Sequence, residues 1–246
     1  MFYLNANNIS LSYPVFGATT MSMRKDFIRI STGAKIDNAE KVPIIKALKN
    51  INFSLNDGDR LGLIGHNGAG KSTLLKVLAG IYQPERGAID FNGKIVSTLN
   101  INLGMNLEAT GIENIISRCL FYNLTSEEID GCINDIIEFT DLGNYIYMPI
   151  RTLSTGMKLR IAFATVTSIK SDIILMDEVI GAGDTKFLKK IHERLNKFIN
   201  RSRILVLASH NMNMIKKFCN KALILSHGEL KYFGSVQEAI DIYESK

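Results

Sequence analysis

One segment of the sequence combines glycines, a lysine and hydroxyl residues at the spacing of a phosphate-binding loop. A glycine, four further residues and then Gly-Lys-Ser occur in the run Gly65, His66, Asn67, Gly68, Ala69, Gly70, Lys71, Ser72 and Thr73. Glycines in such a run let successive backbone N–H groups converge on phosphate oxygens, while Lys71 can neutralise the β and γ oxygens and Ser72 can ligate Mg²⁺. The alternative is a glycine-rich elbow with a solvent-facing lysine. We predict phosphate binding, because the segment lies between a strand and a helix.

The elements on either side of this loop support the interpretation. Residues 61–64 are a short apolar strand pattern, and residues 72–79 carry apolar side chains at helical spacing and end before Gly80. Glycine is the expected residue just beyond the C-terminus of a helix. The N-terminus of the predicted helix adjoins the loop, so its positive dipole end favours a bound phosphate.

Three polar side chains follow predicted buried strands further along the chain. Asp177 and Glu178 come directly after residues 173–176, and His210 follows residues 204–208. Because the carboxyl ends of parallel strands meet at one crevice, we expect these side chains to lie near the loop. Asp177 is predicted to hold Mg²⁺ through water, Glu178 to orient and deprotonate an attacking water, and His210 to contact the γ-phosphate. A solvated strand cap and a surface histidine are the alternatives.

A second candidate anion site is the start of the helix that follows residue 153. The tetrapeptide Leu-Ser-Thr-Gly places Ser154 at the N-cap position, with Thr155 and Gly156 in the first turn. The hydroxyl of Ser154 and the first backbone N–H groups can receive an anion. Taken alone, the tetrapeptide favours an ordinary helix N-cap.

The N-terminal part of the chain predicts a small antiparallel β region. Residues 2–13 alternate loosely and predict an edge strand, and residues 51–55 form a strand of period two. Between them, residues 17–46 are polar and basic, and this stretch is longer than an ordinary loop. We interpret it as an insertion.

The middle and C-terminal parts alternate helices with strands. Helical spacing over 113–120 and 127–140 predicts a helical subdomain at about 105–170. Further predicted elements are helices at 159–168 and 187–199, strands at 173–176 and 204–208, a hairpin at 222–233 and a terminal helix. Strands that alternate with helices are typical of a parallel sheet. We therefore predict an α/β fold in a single domain, 1–246.

The composition excludes several classes of protein. The chain has 246 residues, of which 46% are hydrophobic and 22% charged, as in one sizeable globular domain. Its net charge of +5 suits phosphates, a nucleic acid or an anionic membrane surface, although the basic residues are dispersed as on solvated helix faces. Three isolated cysteines argue against a disulfide framework. With no leader pattern and no apolar stretch of about 18 residues, we expect neither secretion nor a membrane span.

The order of these motifs resembles the nucleotide-binding domain of ATP-binding cassette (ABC) transporters. The order is the phosphate loop, a helical insert, Leu-Ser-x-Gly at 153–156, Asp-Glu at 177–178 and Ser-His at 209–210. The resemblance covers nearly the whole chain. It implies a P-loop NTPase fold with a mixed core sheet, an N-terminal antiparallel β region and a helical subdomain, and it implies ATP and Mg²⁺ as cofactors.

The resemblance also implies a composite site. Family members form head-to-tail dimers, so Ser154, Thr155 and Gly156 of one subunit are expected to contact ATP held by the other. Tyr13 matches the aromatic residue that stacks on adenine, and Phe16 is a rival for this role.

Two motifs depart from the family's pattern. The usual glutamine of the Q-loop is missing where residues 100–104 read Asn-Ile-Asn-Leu-Gly, which leaves Asn100 or Asn102 as substitutes. The common D-loop becomes Gly-Ala-Gly-Asp at 181–184. Together with Glu-Ala-Thr-Gly-Ile-Glu-Asn at 108–114, these features resemble the polysaccharide-exporting branch, whose members carry O-antigen, capsule or teichoic acid glycans.

Membership of that branch implies an ATP-hydrolysing subunit for export of a lipid-linked polysaccharide. The implied partners are a second copy of the chain and a separate transmembrane permease subunit that handles the glycan, and no nucleic acid is expected. The implied location is the cytoplasmic side of the inner membrane. An ABC ATPase for another substrate, or a soluble one acting on ribosomes or DNA, is the alternative. A GTPase is disfavoured, because residues 196–199 read Asn-Lys-Phe-Ile and lack the aspartate that reads guanine.

Overall fold

The computed structural model describes residues 1–14, 44–99, 101, 104–177 and 185–245. Its strands are β1 (Tyr3–Pro14), β2 (Ile44–Asn56), β3 (Arg60–Ile64), β4 (Arg86–Asn92), β5 (Ile95–Ser97), β6 (Ile173–Asp177), β7 (Ile204–Ala208), β8 (Lys221–Ser226) and β9 (Glu229–Ser235). Its α-helices are α1 (Lys71–Leu78), α2 (Gly111–Phe121), α3 (Ser126–Thr140), α4 (Thr155–Ser168), α5 (Thr185–Arg201), α6 (Met212–Phe218) and α7 (Val236–Glu244). Among these described elements, no helix is long and apolar enough to cross a bilayer.

The described strands form one mixed sheet, in the order β4-β1-β2-β9-β8-β3-β7-β6-β5. The five strands β5, β6, β7, β3 and β8 run parallel, whereas β9 is antiparallel to β8 and β1 is antiparallel to both β2 and β4. A single parallel pair, Lys49 with Glu229, joins β2 to β9. The predicted mixed sheet and the N-terminal antiparallel region are therefore confirmed.

The prediction that residues 2–13 form an edge strand is wrong. Strand β1 lies between β2 and β4, and β4 is the strand at this edge of the sheet. Six of the seven residues of β4 are exposed, Phe91 among them, so the brief alternation of apolar and polar residues over 89–92 does not mark a buried face. Its pairing with β1 comes from backbone hydrogen bonds, which leave no hydrophobic pattern in a sequence.

The predicted insertion overlaps a strand at its C-terminal end. Strand β2 begins at Ile44, so residues 44–46 pair with β1, with Lys46 opposite Ser12 and Ile45 opposite Tyr13. Ile44 and Ile45 are largely exposed, and the extension of β2 beyond the predicted residues 51–55 therefore rests on backbone pairing rather than burial. The rest of the predicted insertion up to residue 43 lies outside the described residues.

The parallel strands separate two hydrophobic cores. Along β7, Ile204 and Val206 face one core, while Leu205 and Leu207 face the other. This alternation follows from the period-two geometry of a strand and explains why the run is apolar throughout. Full burial of one such aliphatic side chain contributes about 1.5–3 kcal/mol. Helix α1 lies in the first core with the N-terminal strands, and the helical subdomain lies against the second.

Helices α2, α3 and α4 form the predicted helical subdomain. A capping box at Thr110 starts α2 two residues before the predicted start at 113. A second capping box at Thr125 starts α3 one residue before the predicted start at 127. Helix α4 begins at Thr155 rather than at residue 159, because the side chain of Ser154 caps it. The amide group of Asn114 bonds to the backbone of Asn106 and fastens the preceding loop onto α2. Each helix therefore starts where a side chain satisfies its first N–H groups.

Candidate nucleotide-binding site

The phosphate loop connects β3 to α1, as predicted. Helix α1 begins at Lys71, and Gly80 has a φ of +71° two residues after its last residue, as expected at a helix C-terminus. The first backbone N–H groups of α1 and its positive dipole end face the space above the loop, which is the arrangement that favours phosphate.

Lys71 is held across the mouth of the loop. Its side chain is largely buried, and its Nζ donates hydrogen bonds to the carbonyl oxygens of Gly65 at 2.6 Å and His66 at 3.1 Å. A buried ammonium is stable only with such acceptors or with an anion. These two carbonyl oxygens hold the ammonium at the loop, where it can neutralise a phosphate.

The strand ends bring the predicted polar residues to the same place. Strands β6 and β7 are parallel, with Asp177 opposite Ala208 in the register, and His210 follows two residues beyond β7. Asp177 and His210 both line a cleft that also contains Lys71 and Ser72. The expected convergence is confirmed for these residues, whereas Glu178 lies outside the described residues.

This cleft, here called the nucleotide cleft, has a volume of about 740 Å³. Its lining residues are Tyr13, Ile45, Lys46, Ala47, Lys49, Asn67, Gly68, Ala69, Gly70, Lys71, Ser72, Thr73, Asp177, Ser209, His210, His227 and Gly228. Among the described lining residues, Lys46, Lys49 and Lys71 are cationic, Lys49 being paired with Glu229, and Asp177 is the one carboxylate, so this part of the cleft is basic and suits a polyphosphate. Gly65 and His66 of the loop do not line the nucleotide cleft. Their carbonyl oxygens instead hold the ammonium of Lys71 in place.

The turn between β8 and β9 contributes residues that sequence reasoning missed. The N–H of Gly228 donates to Ala69 O at 3.0 Å, and its carbonyl accepts from Lys49 N at 2.8 Å. The ring of His227 lies 4.8 Å from the ring of His66, centroid to centroid. The turn therefore braces the phosphate loop against β2. The only signal in the sequence was the predicted hairpin turn itself, which does not reveal what the turn contacts.

An ion pair beside this turn joins the two halves of the sheet. Glu229 accepts a hydrogen bond from Lys231 and one from Lys49 at 3.0 Å, across the β2–β9 junction. These two lysines lower the pKa of Glu229 to about 2, Lys231 contributing most. Protonation of Glu229 at low pH would therefore remove this exposed ion pair across the junction.

The aromatic residue predicted to stack on adenine lies at the rim of the nucleotide cleft. Tyr13 is partly buried at the end of β1, and its ring meets the ring of Tyr82 edge-on at 5.7 Å. Tyr82 in turn lies beneath the ammonium of Lys76, 5.4 Å from its ring centroid. This packing holds Tyr13 at the open side of the cleft. The rival Phe16 lies outside the described residues, as do Asn100, Asn102 and residues 181–184.

The three residues predicted to contact ATP from a second subunit lie apart from the nucleotide cleft. Ser154, Thr155 and Gly156 are exposed at the start of α4, and none of them lines the cleft. The hydroxyl of Ser154 accepts a hydrogen bond from Met157 N at 3.3 Å, so it is an N-cap. This N-terminus is open to solvent.

A phosphate loop opposite an aspartate and a histidine at neighbouring strand ends, beside a helical subdomain, defines a nucleotide-binding cassette. The family model described as "ABC transporter" matches residues 48–181. The chain therefore belongs to the ABC transporter family, and it is an ATPase.

Curated relatives support this assignment over nearly the whole chain. The O-antigen export system ATP-binding protein RfbE of Yersinia enterocolitica is 41% identical over 236 residues, covering 96% of this chain and 97% of that protein. The teichoic acids export ATP-binding protein TagH of Staphylococcus epidermidis is 32% identical and covers 98% of this chain and 88% of that protein. TagH of Bacillus anthracis is 39% identical, but the match spans only 36% of its length.

Solved structures share the fold. The ATP-binding cassette MJ0796, described as a dimer in a post-hydrolysis state bound to ADP and Pi, matches with a TM-score of 0.68 and 20% identity over 95% of this chain. An ATP-binding subunit of an ABC transporter matches with a TM-score of 0.71 and 20% identity over 98% of this chain. The predicted P-loop NTPase fold is therefore confirmed.

Proposed function

We propose that this chain is the subunit whose ATP hydrolysis energises export of a lipid-linked polysaccharide across the cytoplasmic membrane. The observation that carries the proposal is the alignment with an O-antigen export ATP-binding protein over 97% of that protein's length. The basic nucleotide cleft supports the same function, because it has the volume and charge for ATP. The glycan itself would be handled by a separate transmembrane permease.

The residues of the nucleotide cleft divide the work of hydrolysis between them. The loop N–H groups and Lys71 bind and neutralise the phosphates, and Tyr13 stacks on adenine. Ser72 and Asp177 offer a hydroxyl and a carboxylate oxygen in the same cleft, a donor set that suits Mg²⁺, which would neutralise charge on the β and γ oxygens. Glu178 removes the proton of the attacking water, and His210 contacts the γ-phosphate.

A second copy of the chain completes the site. Ser154, Thr155 and Gly156 present an exposed helix N-terminus that does not reach the nucleotide cleft of its own chain. In a head-to-tail dimer, this N-terminus would meet the phosphates on the other copy. The dimer of the cassette MJ0796 supports this arrangement. The dimer would close when ATP binds and open after hydrolysis, and this would provide the motion that energises export.

An apolar groove between the core sheet and the helical subdomain is the surface that we assign to the permease. The groove has a volume of about 410 Å³ and is lined by Ile81, Met105, Phe121, Tyr122 and Ile161, among other residues. The side chain of Phe121 is 79% exposed and that of Ile81 is 49% exposed. Exposed apolar side chains clustered in this way are typical of a protein interface.

Arg118 links this groove to the segment that follows β5. Its guanidinium donates to the carbonyl oxygen of Ile101, and burial lowers its pKa. Ile101 follows β5 and lies within residues 100–104, where the family's glutamine is missing. A shift of α2 would therefore move this segment directly, which supports coupling between ATP and the permease.

Co-purification from detergent-solubilised membranes tests the proposal. We expect the wild-type chain to recover an integral membrane protein, identified by mass spectrometry, and the Phe121→Glu variant to lose it while still binding ATP. Ile242→Glu, a change to an exposed apolar residue of α7, is the matched control and should retain the partner. Recovery of ribosomes or nucleic acid without any integral membrane protein would refute the export function and favour a soluble ABC ATPase.

A further inference from the structure

A second cleft lies on the side of the molecule formed by α3, α4 and α5. Its volume is about 530 Å³, and no residue that lines it also lines the nucleotide cleft. Six of its lining side chains are cationic: Lys94, Lys170, Lys190, Arg194, Lys197 and Arg201. We call it the basic cleft.

Four of these cations form a stripe along one face of α5. Lys190, Arg194, Lys197 and Arg201 are spaced by four, three and four residues, which places them on one face of the helix. The adjacent face of the helix is buried through residues such as Ile191. Like charges at these spacings repel and destabilise a helix. Negative charge over the stripe relieves this repulsion, as Asp135 does at Arg194.

The carboxylates of the basic cleft only partly balance these charges. Three line it: Glu128, Asp135 and Glu193. Asp135 forms an ion pair with Arg194, and Glu128 accepts a hydrogen bond from Thr125 N in the capping box of α3. Six cations against three carboxylates leave an excess of positive charge in one concavity, in a chain whose total net charge is only +5.

The floor of the basic cleft is rigid. The side chain of Arg194 is 14% exposed and donates to Thr167 Oγ1 at 2.6 Å, to Ser168 Oγ at 2.7 Å and to Asp135. Its guanidinium also stacks on Phe139 at 4.4 Å from the ring centroid. Arg201 donates to the carbonyl oxygens of Thr167 and Ile169. The two arginines therefore form a fixed cationic base, and the lysines surround it.

From this arrangement, we propose that the basic cleft binds a small anion with linked phosphates, of the size of tripolyphosphate or of the phosphate chain of a nucleotide. Lysine ammonium groups bind phosphate as point charges, and several of them around a concavity match an anion that carries several charges. The volume lies within the range of about 300–1,000 Å³ that is usual for small-molecule sites. A concave site of this size favours a small ligand over an extended macromolecule. The inference does not depend on the proposed export function.

Isothermal titration calorimetry with sodium tripolyphosphate, at low ionic strength and without Mg²⁺, tests the proposal. The full chain carries Lys71→Met, which removes phosphate binding at the nucleotide cleft. We expect one binding event, and we expect the double change Lys190→Ala with Lys197→Ala to weaken it about tenfold or more. The same double change with Lys71 intact provides a second comparison if the Lys71→Met chain does not fold.

A matched control removes two lysines elsewhere. Lys189 on α5 and Lys216 on α6 are exposed and do not line the basic cleft, so their change to alanine should alter the affinity by less than about twofold. ATP in place of tripolyphosphate distinguishes the source of the phosphates: comparable binding indicates a nucleotide, and binding of tripolyphosphate alone indicates free polyphosphate. The proposal is overturned by absent binding, by equal weakening in both double variants, or by binding of a tetraglutamate peptide but not of tripolyphosphate.

Discussion

Replacing Gly228 by alanine tests whether the β8–β9 turn holds the phosphate loop in place. Gly228 has a φ of +78°, and a methyl group there would lie 2.6 Å from Ala47 O and 2.9 Å from Ala47 C. The left-handed backbone costs an L-residue about 1–2 kcal/mol, and overpacking that requires a backbone shift adds about 1–3 kcal/mol. We therefore expect Gly228→Ala to lower the free energy of unfolding by about 2–5 kcal/mol.

Gly80→Ala is the matched control for this prediction. Gly80 has a φ of +71°, but a methyl group there would meet no atom within 4 Å. In this variant the free energy of unfolding should fall only by the cost of the left-handed backbone, about 1–2 kcal/mol. In thermal unfolding, each kcal/mol corresponds to a fall in Tm of about 2–4 °C for a chain of this size.

Titration with a fluorescent ATP analogue gives the second measurement. Because the N–H of Gly228 donates to Ala69 O inside the loop, a displaced turn should weaken nucleotide binding in Gly228→Ala and leave it unchanged in Gly80→Ala. Equal losses of stability would mean that the Ala47 backbone accommodates the methyl group without cost. An unchanged affinity of Gly228→Ala for the ATP analogue would mean that the turn does not hold the loop. Either outcome, equal losses of stability or an unchanged affinity, refutes the reasoning.

Three further predictions concern hydrolysis, acid and thiols. Glu178→Gln should bind ATP and dimerise but release phosphate about 10²–10⁴-fold more slowly, and wild-type turnover would refute the assigned base. Two lysines hold the pKa of Glu229 at about 2, below its ordinary value of 4.5. Its stabilisation is therefore present above pH 4.5 and lost as the pH falls towards 2, so the gap in Tm between wild type and Glu229→Gln should narrow between pH 6 and pH 3. A difference in Tm that stays constant between pH 6 and pH 3 would contradict this prediction. Burial raises the pKa of Cys119 and Cys219 to about 12, so iodoacetamide at pH 8 should label them only after unfolding, and rapid labelling of the native chain, detected by mass spectrometry, would disprove it.

The parts of the site that depend on local chemistry are predictable from the sequence. The loop, its lysine and the helix that follows it are adjacent in the chain, and glycine and helix-capping preferences determine their conformation. Asp177 and His210 are distant from the loop in sequence, yet their meeting is also predictable. Parallel strands end at the same edge of a sheet, so a residue just after each strand reaches the same crevice.

The parts that depend on strand register and on exposed backbone pairing are not predictable in this way. Strand β4 is exposed along almost its whole length and alternates apolar with polar residues only over 89–92, so the sequence predicts the edge at β1 instead. The position of Lys46 in the nucleotide cleft follows from its pairing with Ser12 in β1. Nothing in the spacing of these two residues indicates that contact.

The sequence by itself determined that this chain binds a nucleotide phosphate on an α/β cassette and which strand ends supply the polar groups, because these properties follow from local conformation and from strand order. The tertiary structure alone decided what braces the loop and where cations accumulate. Gly228 meets Ala69 because β3 and β8 pair in parallel and end side by side, and the basic cleft forms only when α3, α4 and α5 pack together. Both arrangements join residues far apart in the chain, whose contact depends on packing rather than on any local pattern.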